Sequence, residues 1–327
     1  MTLDLVAVIP AKGIGDGLIM MVASHRLICQ GFQVTTYSKP LKELDQWFEN
    51  HKFVERPPLE RLEEVFSAFD LIVLQNDNTE FAKALIDLHK EGKLRALSTF
   101  YPTYEEKKHS HLMALDRVFH EERPMVDNTA RAISSILGLN HISKNNGLRN
   151  PSTLAHRRYK HKVIIHPTST SDDKNWSVPK YLKLAHLLQD EGYSPIFTVA
   201  PDERKDWVRY TKGQFEVPLL PSLHELANLI YESGFMIGSD SGLGHLASNM
   251  QLPTLIISNH EGRMKLWRPG WYKGDVLTPS NLILNIKGMR LRENKWKFFI
   301  SPSKVFKTFK SLSLKETFLL NNSSSRY

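Results

Sequence analysis

At 327 residues, with 41% hydrophobic content and only 17 Gly and 17 Pro, the chain is too apolar for a disordered protein and long enough for two globular cores. A single cysteine, Cys29, excludes an intramolecular disulfide and disfavours a thiolate metal site, which suits a reducing, cytoplasmic compartment. The net charge of +8 is local, because Leu284 to Tyr327 hold ten Lys or Arg against Glu293 and Glu316; this argues against a diffuse nucleic-acid surface and for a basic patch facing a membrane or an anionic ligand.

In chain order, Leu3 to Ile9 reads as a first strand rather than a signal peptide, since its apolar run is short and no basic segment precedes it. The loop Pro10 to Gly17 follows, and then a helix carrying Leu18, Met21, Val22, His25 and Leu27, closed by Gly31. Strands are predicted at Gln33 to Tyr37, Asp70 to Gln75 and Leu94 to Phe100, with helices at Leu41 to Phe48, Leu59 to Phe69 and Phe81 to Lys90. Between Gly138 and Lys160 the periodicity fails, which marks a domain connection. A second series opens with the strand Val163 to His166 and continues through strands at Pro195 to Val199, Phe235 to Ile237 and Thr254 to Ile257 with helices between them. Uniformly apolar strands alternating with helices predict parallel sheets covered on both faces. The fold class is therefore α/β, with two doubly wound Rossmann-like domains facing across a cleft at the carboxyl ends of their strands. Expected boundaries are 1–150, 151–300 and a basic terminal helix and tail over 301–327. No run approaches the length of a membrane span.

Three loops would line such a cleft. In the first, Gly13, Gly15 and Gly17 permit unusual backbone angles and bring Asp16 to a helix start, as a favourable first-turn charge or as a general base. The dinucleotide fingerprint is incomplete there, and the second strand ends in Tyr37, Ser38 and Lys39 without an acid for a ribose, which disfavours a nicotinamide enzyme. The second loop offers Thr168, Ser169, Thr170, Ser171 and then Lys174, donors and a cation suited to a diphosphate. Its Asp172 and Asp173 lack a third ligand, so no metal is predicted. The third is Gly238 to Gly242, a turn into a helix whose start suits phosphate. Asp240, Ser241, Gly242 and His245 there admit two readings: a ligand site, or a plain helix cap with an interior histidine.

The strings GIGDGLIMMVASHRL, TSTSDDKNW, LPSLHELANLI and GSDSGLGHLASNMQLPTLIIS, in that order, resemble the bacterial lipopolysaccharide heptosyltransferases of glycosyltransferase family 9. The resemblance runs from about Val6 to Phe309 and is strongest between Val163 and Ser258. It implies a GT-B fold, with the acceptor held mainly by the N-terminal domain and the nucleotide-sugar mainly by the C-terminal one. It also implies heptose transfer from ADP-heptose to the inner core of lipopolysaccharide, with inversion and with no cofactor or obligatory metal. By motif position, Asp16 would be the base, with Gly13 and Gly15 in the acceptor-side loop; Ser169, Thr170 and Lys174 would contact the diphosphate and Asp240 the sugar, with Gly242 and His245 near the phosphates and Ser241 in the same nucleotide-sugar site. The sequence departs from the family at Ala11, Lys12 and Gly13, and again at Ser258 to Arg263, where an aromatic-glycine turn is usual. Arg263, Lys265 and Arg268 read there as loop solvation or as contacts to an anion. The amphipathic helix Ser303 to Leu312 is expected to return onto the first domain, with its lysines facing an anionic membrane surface near a lipid-linked saccharide acceptor. A GT-B nucleotide-sugar epimerase, a transferase using another nucleotide-sugar, and an inactive relative are the alternatives.

Overall fold

The computed structural model describes residues 4–109, 111–280 and 295–324, with side chains placed as far as Glu316. It divides into two compact units: one runs to Pro151 and takes in Lys265–Trp267, and the other holds the remainder from Ser152.

The first unit is built on β1 (Leu5–Ile9), β2 (Gln33–Tyr37), β3 (Lys52–Val54), β4 (Leu71–Gln75), β5 (Leu97–Tyr101) and β6 (Arg117–Val118). All pair in parallel, in the order β3-β2-β1-β4-β5-β6. Strands buried on both faces read as mainly apolar runs, as β4 does up to Gln75; β5 is also buried at every residue but carries Ser98, whose hydroxyl is satisfied by the Leu115 carbonyl, and Thr99. The short edge strands β3 and β6 escape the sequence pattern because they are brief and half-exposed. The helix expected over Leu41 to Phe48 is instead a helical turn, Lys39–Lys42, followed by a 3-10 turn, Asp45–Trp47.

The second unit holds β7 (Tyr159–His166), β8 (Ser194–Phe197), β9 (Ser233–Ser239), β10 (Thr254–Ile257) and β11 (Gly274–Leu277), parallel in the order β11-β10-β9-β7-β8. Each sheet has one place where the strand order reverses, β1 beside β4 in the first and β7 beside β9 in the second. Loops leaving two such strands turn to opposite faces and open a crevice between them, where ligands of this architecture bind.

The terminal helix Pro302–Ser324 corrects one expectation. Val305, Phe309 and Leu312 are buried in the core of the second unit, among Val163, Phe197 and Phe235, rather than on the first domain. Phe309 meets Phe235 edge-on at 5.1 Å and Tyr193 at 4.9 Å. An amphipathic stripe dictates that a helix packs, not on which surface. Lys287, Arg290, Arg292 and Arg326, four of the basic residues assigned to the terminal patch, lie outside the described residues. Among the described residues, no helix is long and apolar enough to cross a membrane.

Candidate functional site

In the first unit, β1 ends at Ile9 and the helix Ile14–Cys29 begins at the crevice, with Asp16 in its first turn. Gly13, Gly15 and Gly17 do not adopt positive φ, so the expectation of unusual backbone angles fails. Their value is room: a Cβ on Gly13 would stand 2.8 Å from Asp16 Oδ2, and one on Gly17 would stand 3.1 Å from Ser38 Oγ. Gly15 is buried in the same turn. Gln75, the last residue of β4, spans the strand reversal. Its Nε2 donates to Asp16 Oδ1 at 2.5 Å, and its Oε1 accepts from the Ala11 amide at 3.1 Å. The carboxylate is thus oriented by a buried amide that is itself fixed. Nothing in the sequence singles out Gln75, which reads as the end of an apolar strand.

Beside Asp16 opens a cavity of about 560 Å³ lined by Lys12, Tyr37, Ser38, Arg56 and Phe81 among others. Arg56 donates to the Pro10 carbonyl, lies 3.7 Å from Asp77 Oδ2 and stacks 4.8 Å from the Phe81 ring centroid. Burial pulls its pKa down, against the opposing pull of Asp77 and Asp16. The Ser38 hydroxyl at the wall is buried without a hydrogen-bond partner. The cavity therefore offers cations, an aromatic face and a waiting hydroxyl next to a fixed carboxylate.

In the second unit, the loops after β7 and β9 meet at the other reversal. His166 is buried, burial lowers its pKa, and its Nδ1–H donates to the Thr198 carbonyl at 2.7 Å. Ser239 Oγ donates to the Pro167 carbonyl at 3.0 Å and receives the Tyr181 hydroxyl at 2.9 Å, which ties the two loop bases together. Beyond that tie, Lys174 Nζ stands 3.9 Å from Asp240 Oδ2. The structure thus brings together the lysine of one predicted loop and the aspartate of the other, with Ser241 and Gly242 adjoining.

The hydroxyl-rich loop is less open than its composition suggests. Thr168 Oγ1 donates to Glu203 at 2.9 Å, Ser169 Oγ lies 2.8 Å from Asn175 Oδ1, and Ser171 donates to Asp173. Thr170 is exposed. These hydroxyls shape the loop that presents Lys174. Its 3-10 turn, Asp172–Lys174, is held from behind as well: Trp296 Nε1 donates to the Asp173 carbonyl at 2.8 Å and Lys297 Nζ to that of Asp172 at 2.9 Å. Trp176 is 2% exposed and belongs to the core.

Ser241 occupies the N-cap position of the helix Gly242–Asn249, yet its side chain makes no cap bond and its Oγ is buried without a partner. The simple capping reading of this serine therefore fails. His245, one turn on, is 6% exposed and meets Trp271 edge-on at 6.2 Å. Arg263, read from the sequence as loop solvation or as a contact to an anion, reaches with its guanidinium to 3.7 Å from Asp240 Oδ2. Among the described residues, no three His, Cys, Asp or Glu gather as metal ligands.

The model of glycosyltransferase family 9 (heptosyltransferase) matches residues 101–268, just over half of the chain. The chain belongs to that family. A curated relative of this family-9 chain, lipopolysaccharide heptosyltransferase 1 of Escherichia coli K12, is 32% identical over 98 residues, 29% of the chain and 30% of the relative's own length. The chain thus matches about a third of the length of its curated relatives. Among solved structures, Escherichia coli ADP-heptose LPS heptosyltransferase II superposes with a TM-score of 0.70 at 15% identity, covering 95% of this chain and 99% of that one. Escherichia coli heptosyltransferase WaaC with ADP-2-deoxy-2-fluoro heptose gives 0.67 at 15% identity, over 94% and 99%. The fold of this family-9 chain is that of the GT-B heptosyltransferases: two parallel-sheet α/β domains.

Proposed function

We propose that the chain is an inverting glycosyltransferase that moves a heptose from ADP-heptose to a lipid-linked inner-core acceptor of lipopolysaccharide, working at the cytoplasmic face of a membrane. The observation that carries this reading is the pairing of Lys174 with Asp240 at the strand reversal of the second unit, in a chain whose family is glycosyltransferase 9. A solved neighbour of the same fold is described with an ADP-heptose analogue, which supports the donor class.

The chemistry needs three things, and the residues suit them. An acceptor hydroxyl is a poor nucleophile at neutral pH, and Asp16, held by Gln75, removes its proton as the oxygen attacks the anomeric carbon of the sugar. The bond from that carbon to the diphosphate oxygen breaks, its electron pair leaving with ADP. The ammonium of Lys174 and the start of the helix Gly242–Asn249 stabilise the departing charge, and Asp240 accepts hydrogen bonds from sugar hydroxyls. Attack from the face opposite the leaving group gives inversion. The cavity beside Asp16 suits the acceptor, its Arg56 and Lys12 favouring an anionic saccharide. The lysines of the terminal segment, including Lys295, Lys304 and Lys307, favour an anionic lipid surface near such an acceptor.

Calorimetric titration with ADP, UDP and GDP, with and without magnesium, tests the donor half. Preference for ADP, weakened about tenfold or more in Lys174→Ala, is the expected result. Preference for UDP would keep a transferase and change its sugar, and no nucleotide binding would overturn the reading.

A further inference from the structure

We propose that Arg263 is a further donor-binding residue, the second cation that meets the diphosphate of the nucleotide-sugar. The proposal rests on the nucleotide-sugar reading above and deepens it at the same site. Asp240 Oδ2 stands between two cations, Lys174 Nζ at 3.9 Å and Arg263 Nη2 at 3.7 Å. Both separations exceed hydrogen-bonding reach, so the carboxylate is attracted to the cations without being bonded to them. The Lys174 and Asp240 side chains are 19% and 12% exposed, whereas Arg263 is 42% exposed. Two members of the trio are largely buried and Arg263 is the more exposed.

Charge explains why a third member is needed. Lys174 and Asp240 cancel, and Asp172 and Asp173 add exposed carboxylates on the neighbouring loop. A diphosphate bringing two negative charges into that surrounding would find no net attraction from Lys174 alone. Arg263 supplies a second cation against Asp240, so that the three charges around Oδ2 leave one cation uncancelled. When sugar hydroxyls engage Asp240, the carboxylate's hold on both cations weakens and both turn to the phosphates. Guanidinium is suited to this, because its planar fork meets two phosphate oxygens at once.

The position is built by local structure. Arg263 lies in the first turn of the helix Glu261–Trp267, which follows β10, the strand next to β9 in the sheet. The N-cap of that helix is His260, whose Nδ1 accepts the Arg263 amide at 3.1 Å. The loops leaving β7, β9 and β10 therefore each contribute one charge to the same point. Arg263 stands in the run where the sequence departs from the family pattern, so this chain meets the donor there in its own way.

The test compares ADP with adenosine by calorimetric titration of the full chain. Arg263→Ala is expected to weaken ADP by about 10- to 100-fold and leave adenosine unchanged, with Arg263→Lys recovering part of the loss and with a shallower salt dependence of ADP binding in Arg263→Ala. Unchanged ADP affinity would overturn the role of Arg263 while leaving the nucleotide-sugar reading standing. Equal losses for ADP and adenosine would overturn it too, because they would mean that Arg263 shapes the site rather than meeting phosphate. A wild-type chain that binds no ADP would overturn both.

Discussion

Asp16 shows how little of a functional side chain's setting is written next to it. Its spacing between glycines is visible in the sequence, and so is its position at a helix start. The amide that aims it comes from Gln75, 59 residues on, and only the parallel register of β1 with β4 brings the two together. The glycines are likewise legible as necessary but not for the expected reason, since they clear space for the carboxylate instead of bending the chain. Asp16→Asn keeps the shape and the contact with Gln75 while removing the base. Turnover should fall by about 10²- to 10⁴-fold with ADP affinity unchanged, as read by ADP release and by titration. Normal turnover in that variant would remove Asp16 from the mechanism. Arg263 is the opposite case: a basic residue in a polar run whose guanidinium stands 3.7 Å from a carboxylate in the turn after β9.

Among the elements, the connection after Gly138 is the one that the sequence describes least. Its lack of periodicity spans the stretch where the first unit ends at Pro151, yet the segment is pinned. Asn146 Nδ2 donates to the Leu18 carbonyl at 3.1 Å, and the Arg149 amide donates to that of Trp47 at 2.8 Å. Gly147, at φ +82°, lies against a stacked pair of histidines, His25 and His51, where a Cβ would come within 2.7 Å of His25 Nδ1. Such contacts obey no period, because their partners lie about a hundred residues away. Burial lowers the pKa of both imidazoles below 6.5, and the neighbouring Arg149 lowers both further. The folded pair resists protonation, so below the ordinary value the unfolded chain binds more protons and stability falls as pH falls. Melting temperature should therefore drop between about pH 7.5 and about pH 5.5, with a smaller drop in His51→Phe. An equal drop in that variant would assign the acid sensitivity elsewhere, His156 and His166 being the next candidates since burial depresses them as well.

For the whole molecule, the alternation of apolar strands and helices made both sheets readable, and with them the crevices that hold the candidate residues. The short edge strands β3, β6 and β11 and the seat of the terminal helix were not readable, because edges and docking surfaces depend on three-dimensional neighbours. That helix is locked by charge as well as by packing. Arg157, at the start of the second unit, pairs with Glu316 on the terminal helix, and both are buried. The Tyr272 hydroxyl donates to the same carboxylate at 2.8 Å. Glu316→Ala leaves a buried guanidinium without its partner and should cost about 3–5 kcal/mol in urea unfolding. A loss below about 1 kcal/mol would show that water replaces the carboxylate.

This lock also sets the order in which the molecule is made. The first sheet is complete before Pro151 has been synthesised, so its unit can fold early on the ribosome. The second cannot close its core until Phe309, Leu312 and Glu316 have emerged, some 160 residues after Ser152. At ordinary elongation rates its apolar strands would wait roughly 10–30 s for their cover. Ribosome-stalled chains ending near residue 280 should accordingly protect the first unit from protease and leave the second open; protection of both would mean that the terminal helix is a late addition to a core already formed.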